Sequence, residues 1–382
     1  MAVNFTIGGK LLYPLTSPPP KPEPKPDPKL IDKVVSYGDR EVIVTVPFPD
    51  SIEMIVVLRN EHHIAPDTSF KSKKIISIQL DQEIQKQLVL ASVEKPAWIT
   101  GGAYPNGKKA DFRVAYDPAH PLHNGRVFLN RQLADDLPYW TMRVEFSASK
   151  AGTCGLVQLT AAIEHILPMF HVEKLLGDFQ LSRVDAAIDC IGVTPIDLIA
   201  HIPKPGKRMV YIGDHGKPES VYCYAEKKQP NVPPKSYSYK TTGPLRMLLY
   251  ERRDYLLQMK QPPTYGNCPV TRIEVPMRWK KNRPLLTDIS LIKNLFQGRR
   301  VAYAAAVANM ASKGWQQYCM AALGAGTSGA MFTWVPGPGG KYEKAYLTSA
   351  GDLVDPLNWE KWDVGLEQAG IAALIQKAFA QS

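Results

Sequence analysis

Residues 182–189 read Ser-Arg-Val-Asp-Ala-Ala-Ile-Asp, and this stretch limits the possible folds more than any other in the chain. Val184, Ala186 and Ile188 alternate with Arg183, Asp185, Ala187 and Asp189, which is the period of a β-strand with one apolar and one polar face. Residues 271–278 (TRIEVPMR) repeat the device. Ile273, Val275 and Met277 share one face; Arg272, Glu274 and, past a proline, Arg278 share the other. A sheet built on such strands must settle what neutralises its acidic face. One solution is ion pairing with Arg183, Arg272 and Arg278. The other is a divalent metal held by Asp185 and Glu274, with Asp189 as alternate ligand. Asp185 and Asp189 are about 13 Å apart along a strand, whereas Asp185 and Glu274 come within about 5 Å if their strands are neighbours.

Charge sharpens the second solution. The chain of 382 residues carries a formal net charge of +10. Residues 201–300 hold 20 lysines and arginines against 7 aspartates and glutamates, a local +13, so all the rest sums to −3. Carboxylates embedded in the basic region suggest a metal facing a polyanion, and the charge permits nucleic acid or an anionic membrane as that partner. Five scattered cysteines without a C-x-x-C pair fit a reducing, cytoplasmic setting and argue against a disulfide scaffold or zinc module. No signal peptide is evident at the start of the sequence. No run of 18 uncharged apolar residues predicts a membrane span.

The chain divides by pattern into four parts. Residues 1–38 include eight prolines between 14 and 28, an extended charged spacer. Residues 39–149 read as β-rich, with strands over 40–48, 53–59, 73–80, 111–117, 125–130 and 139–149 and a helix over 82–92. His62 and His63 are adjacent, and His120 and His123 share a loop, but neither pair has a nearby acid or cysteine at a metal-site spacing. Residues 150–300 hold a helix over 156–170 ended by Pro168, the strand 182–189, a short helix over 193–202, strands at 204–214 and 220–225, a helix over 244–259, and the strand 271–279. Pro276 assigns this last strand to an edge or a bulge. Residues 301–382 read as a helical part interrupted by a glycine-rich stretch at 324–340, which matches neither a P-loop nor a dinucleotide fingerprint. Strands and helices follow no regular βα alternation. The predicted class is therefore α+β: an antiparallel sheet backed by helices, a β-rich N-terminal region and a helical C-terminal appendage.

Taken in order, RVDAAID (183–189), YIG (211–213), YCYAEKKQ (222–229) and TRIEVPMR (271–278) resemble the replication initiation proteins of rolling-circle plasmids and filamentous phages, the Rep_trans or replication initiation factor group. The resemblance is carried by Arg183, Asp185, Ala187, Asp189, Tyr211, Gly213, Tyr224, Lys227 or Lys228, Gln229, Arg272, Glu274 and Arg278. It covers roughly residues 181–278. The chain has Tyr222 where that pattern has arginine and Y-x-x-K for Y-x-K, and it lacks the His-hydrophobe-His triplet of the wider nickase group.

The resemblance implies nicking and rejoining of DNA at a replication origin, single-stranded or hairpin, with a host helicase and polymerase as further partners. It implies a tyrosine nucleophile, Tyr224, with Tyr250 and Tyr255 on the basic stretch 244–259 as alternatives. Lys227 and Arg278 would assist a phenol whose ordinary pKa makes it a weak nucleophile. Mg²⁺ or Mn²⁺ would sit on Asp185, Asp189 and Glu274. Lys204, Lys207, Arg208, Lys228, Arg252, Arg253, Arg272, Lys280, Lys281 and Arg283 are the expected DNA contacts. Three rival readings are a DNA-binding protein without catalysis, a metal-dependent nuclease that uses water, and a structural or capsid-associated protein of a mobile element, suggested by the proline tract and the glycine-rich 324–340.

Overall fold

The computed structural model describes residues 6–7, 10–11, 28–37, 40–66, 72–116, 124–201, 208–214, 217–225, 246–258, 262–296, 300–303, 331–334 and 357–379. Strands β1 (Thr6–Ile7), β2 (Lys10–Leu11), β3 (Ile31–Tyr37), β4 (Arg40–Thr45) and β5 (Phe48–Leu58) precede helix α1 (Lys73–Val93). Strands β6 (Ile99–Ala103), β7 (Lys109–Ala115), β8 (Asn124–Ala134) and β9 (Leu137–Phe146) lead to helices α2 (Ala148–Ile166) and α3 (Val172–Asp178). Then come β10 (Gln180–Ile191), β11 (Leu198–His201), β12 (Arg208–Asp214), β13 (Lys217–Ala225) and β14 (Arg246–Glu251), followed by helix α4 (Arg252–Gln258). The chain continues with β15 (Val270–Arg278), β16 (Arg300–Tyr303) and β17 (Met331–Trp334), and the described residues end in helices α5 (Trp362–Gln368) and α6 (Ile371–Phe379).

Thirteen of these strands form one antiparallel sheet in the order β17-β12-β13-β14-β15-β10-β5-β9-β8-β7-β6, with β4 paired to β10 and β3 to β4. The fold is α+β, as the sequence pattern predicts. β10 sits at its centre and pairs directly with β15, from Arg183 opposite Arg278 to Ile191 opposite Val270. Strands from residues 39–149 and from 150–300 thus lie in the same sheet. One apolar face gathers Ile52, Met54, Val56, Val144, Met142, Val184, Ile188, Ile273 and Val275, all buried against the helices α1, α2 and α3 and the C-terminal pair α5 and α6. Gly365 lets α5 approach the β4–β5 link: a Cβ there would lie 1.8 Å from the Pro47 carbonyl oxygen.

Five stretches depart from the sequence expectation. Residues 31–37, expected within the disordered proline-rich segment 1–38, form β3, paired with β4 in the main sheet. Residues 73–80, expected as a strand, begin α1. Ser72 caps it by accepting from the Ile75 amide, and its buried residues Asp81, Ile84, Leu88 and Ala91 follow helical spacing. The helix expected over 244–259 is a strand up to Glu251 and a helix after it. Met247 and Leu249 are fully buried at alternate positions between β13 and β15, so cross-strand packing overrides helical propensity. The short helix expected over 193–202 is a single 3-10 turn capped through Thr194 and Asp197, followed by β11. The start of the expected helix at 301 is strand β16, paired with β11; residues 304–330 lie outside the described residues.

Pro276 lies in an interior strand, yet its position obeys the rule that predicted an edge. The last β14 partner on β15 is Glu274, opposite Leu248, so at Pro276 only β10 pairs with the strand.

Candidate functional site

The register brings the predicted acids to one sheet face. On β10 that face carries Arg183, Asp185, Ala187 and Asp189; across from them on β15 stand Arg278, Pro276, Glu274 and Arg272. Tyr250 on β14 is opposite Arg272. A bulge on β5 adds a member that sequence reading missed. Ser51 pairs with Asp185 and Pro49 with Ala186, so Asp50 is the extra residue between them. Its carboxylate reaches Arg272, and no alternation pattern reveals a bulge residue in advance.

Arg272 organises the cluster. Its Nε and Nη2 donate to the two oxygens of Asp189 at 2.7 and 2.8 Å, and Nη1 donates to Asp50 at 2.7 Å. Its guanidinium stacks over Phe48, 5.2 Å from the ring centroid. The residue is 6% exposed. Burial opposes its charge, but Asp189 and Asp50 more than compensate and hold it well above the ordinary arginine range. Burial also works against the Asp50 carboxylate; Arg272 and the Ser149 hydroxyl, which donates at 2.6 Å, overcome it and keep that pKa low.

Asp185 is engaged separately. Arg183, two residues back on the same face, donates from Nε at 2.8 Å and from Nη2 to its other oxygen. Burial still raises the Asp185 pKa above its usual value.

Glu274 has a different environment. Among the described residues its hydrogen-bond partner is the Tyr250 hydroxyl, which donates to Oε1 at 2.5 Å. Burial is the main cause that pushes the Glu274 pKa up to about 7, with Asp50 adding repulsion and Arg272 and the Tyr250 bond pulling the other way. Burial and the Glu274 charge likewise raise Tyr250 well above 10. Tyr255 meets Tyr250 edge-on at 5.5 Å and is 41% exposed, so an aromatic pair leads from the surface to Glu274. Arg252, the first residue of α4, has Nη1 3.4 Å from the Tyr250 hydroxyl and lies under the Tyr255 ring at 5.2 Å. Tyr265 is pushed up to about 12, by burial first and Asp189 second.

This arrangement departs from a three-carboxylate metal site. Both oxygens of Asp189 are occupied by Arg272 and both of Asp185 by Arg183, which leaves Glu274 alone without a guanidinium. A Mg²⁺ needing several hard oxygens does not fit this donor set as it stands. The described residues do contain a different group that could hold a metal ion: Glu61, His62 and Asp178, whose ligand atoms lie within 4.8 Å of one another. No spacing reveals it, because Asp178 stands 116 residues from the histidine to which it bonds at 3.0 Å. The His62 Nδ1 accepts the Arg59 amide at 3.1 Å, so Nε2 carries the ring proton, and an ion there would have to replace that proton. The group sits beyond the far end of β5, roughly 25 Å along the strand from Asp50.

The expected DNA contacts fall into three sets. Arg272 is buried and fully engaged, so it shapes the acids and has no free face for a phosphate. Lys280 and Lys281 are exposed just after β15, with Arg283 donating to the Trp279 carbonyl, Arg278 exposed at the strand end, and Arg253 bonded to the Asn267 carbonyl at 2.9 Å. Lys204, Lys207, Lys227 and Lys228 lie outside the described residues, as do His120 and His123. Arg208 is described at the backbone level, opposite Ala225 and Trp334. Tyr224 is on β13 opposite Arg246, two strands from Glu274, a backbone separation of about 10 Å. Among the described residues Tyr250 is therefore the tyrosine that meets the acid cluster directly.

No helix among the described residues is long and apolar enough to cross a membrane. No family model matches the chain, and no curated protein matches it.

Proposed function

We propose that this chain nicks and rejoins a DNA strand, with Tyr250 as nucleophile and Glu274 as its base, in the manner of rolling-circle replication initiation. One observation carries the reading: a tyrosine hydroxyl donates to a half-buried carboxylate whose pKa is pushed up to about 7. A base with its pKa near the working pH is the most effective acceptor for a proton released during attack. A phenol held above 10 stays protonated until that moment, so its nucleophilicity appears only as Glu274 takes the proton.

The step balances. The Tyr250 oxygen attacks phosphorus, the bond from phosphorus to the 3′ oxygen breaks, and the phenol proton passes to Glu274. The departing 3′ oxygen takes a proton from water, leaving a 3′ hydroxyl and a 5′ phosphotyrosine. Rejoining runs the same exchange backwards, and no oxidant or nucleotide is required. Lys280, Lys281, Arg278 and Arg283 are placed to hold backbone phosphates without reading sequence. No step is routed through a metal at Asp185, Asp189 and Glu274, given their pairing. An ion at Glu61, His62 and Asp178 would have an imidazole and two carboxylates as ligands, a set that would suit Mn²⁺ better than Mg²⁺, and at that distance it would act on structure and not on the reacting phosphate.

The test is incubation with labelled single-stranded DNA bearing candidate origin sequences, then denaturing electrophoresis and peptide mapping. A labelled adduct on Tyr250, lost in Tyr250→Phe, is the expected outcome. Mapping to Tyr224 or Tyr255 would keep the reaction and replace the nucleophile. Cleaved product with no adduct would indicate a water-using nuclease, and binding with no cleavage a non-catalytic DNA binder.

A further inference from the structure

Among the described residues the Arg252 guanidinium is a buried cation with no carboxylate in bonding contact, and Asp50 acts on it only through space. The residue is 8% exposed, its Nε has no hydrogen-bond partner, and among the described residues no carboxylate pairs with it. An arginine with an empty donor at that depth is costly unless something arrives to satisfy it. Its Nη1 already touches the Tyr250 hydroxyl and its face is fixed under Tyr255, so the guanidinium is held in place before any ligand binds. Asp189 is held on both oxygens by Arg272, and Asp50, which bonds Arg272 and Ser149 through Oδ1, acts on Arg252 only through space.

A second cation converges on the same place. Lys150, in the first turn of α2 before the break at Gly152, pairs with no carboxylate among the described residues. Burial lowers its pKa, and the Arg252 charge lowers it further; Asp50 pulls it back and Arg272 again opposes it. The two cations repel each other and have only Asp50 as a common acid, itself bonded to Arg272, so positive charge is in excess beside the tyrosine.

We propose that Arg252 and Lys150 form an anion subsite that takes a phosphodiester group of a DNA strand beside Tyr250. The inference rests on the nicking reading for its choice of ligand, but not for the existence of the subsite. Arg252 supplies a planar donor pair to one or both non-bridging oxygens, and Lys150 adds a point charge. The neutralisation expected of a metal ion would thus come from side chains already in the fold.

The probe is the thymidine dinucleotide TpT, a single uncharged-base phosphodiester, titrated into the full chain and followed by phosphorus NMR. Binding in wild type that weakens about tenfold or more in Arg252→Gln, and less in Lys150→Met, is the expected result. Arg252→Lys, which keeps the charge if the glutamine variant fails to fold, should fall between wild type and Arg252→Gln. Arg126→Gln, far along the sheet, should bind as wild type does. Equal TpT affinity in wild type and Arg252→Gln overturns the subsite, as does binding of inorganic phosphate with none of TpT. Loss of the covalent adduct in Tyr250→Phe with TpT binding intact bears on the nucleophile alone. An adduct that still forms in Arg252→Gln with unchanged TpT affinity removes the subsite and leaves the nicking reading standing.

Discussion

Two regions of the same sheet face handle charge in opposite ways. Across β7, β8, β9 and β5, Asp111, Arg126, Glu145, Arg143 and Glu53 form a chain of ion pairs that ends on Arg183 of β10. The arginines there are half-exposed, at 38% for Arg126 and 43% for Arg143, so each charge keeps water as a second partner. A few residues further along, Asp189 and Arg272 are buried, with Asp50, Glu274 and Tyr250 half-buried around them, and Glu274 takes a phenol as its hydrogen-bond partner. The lesson is that a charged sheet face is not a site by virtue of its charges. Burial with incomplete matching shifts a carboxyl to about 7, and that shift is what chemistry can use.

The largest effect should come from breaking the buried side at its centre. Arg272→Met fills most of the same space but leaves Asp189 and Asp50 without their shared cation. Unpairing buried acids in this way is expected to cost about 3–5 kcal/mol, read as the shift in the urea unfolding midpoint at neutral pH. A cost below about 1 kcal/mol would mean that water already reaches the cluster and would remove the contrast with the exposed ladder.

Next in size is the effect of Glu274 on stability against pH. Its folded pKa of about 7 stands above the ordinary glutamate value of 4.5, so between these values the folded chain keeps a proton that the unfolded chain has released. Folding then takes up protons, and stability falls as pH rises through that window, with the full loss present above it. A gap of that size amounts to about 3 kcal/mol for a buried carboxyl. Glu274→Gln cannot ionise and still accepts from Tyr250. The difference in unfolding free energy between pH 5 and pH 8 should therefore shrink by about 3 kcal/mol in the variant. The variant should also form no adduct, becoming more stable than wild type at pH 8 while losing the base. An unchanged pH dependence would show that Glu274 is ionised with ordinary ease.

How much of this was legible in the sequence depends on the length of chain that fixes each feature. The alternation at 182–189 and 271–278 placed Asp185, Asp189 and Glu274 on a polar face, and the two strands do pair. Period-two patterning is local, so it survives without knowledge of partners. Tyr250 was visible as an alternative nucleophile, although its segment read as helix, because Leu245, Leu248, Leu249, Arg252 and Leu256 also satisfy helical spacing. Only the ladders with β13 and β15 decide the matter. Asp50 was not legible at all: it enters through a bulge whose existence depends on the register between β5 and β10, 135 positions apart at Asp185. The ion pairs that close Asp185 and Asp189 were foreseen as one of two solutions. Sequence offered no means of choosing, since guanidinium and metal satisfy the same acids.

The smallest expected effect lies in the exposed ladder, and it completes the contrast. Arg126 donates from Nε and Nη2 to the two oxygens of Asp111, both at 2.8 Å, and stands 3.8 Å from Glu145 through Nη1. By geometry this pair equals the fork between Arg272 and Asp189. The difference is solvent: Arg126 is 38% exposed in its side chain and Asp111 19%, against 7% and 4% for the buried fork. Arg126→Gln leaves Asp111 and Glu145 facing water that can solvate them, and the guanidinium stem over Phe128 is only partly lost. The cost should stay within about 1 kcal/mol and should diminish further in 1 M salt, where surface charges are screened within a few ångströms. The same salt should alter the cost of Arg272→Met much less, because Arg272 and Asp189 are both shielded from solvent. Measuring both variants at low and high salt therefore separates burial from bond geometry as the source of the difference. Equal costs, equally sensitive to salt, would mean that the two regions differ in name only and that the raised Glu274 pKa has some other origin.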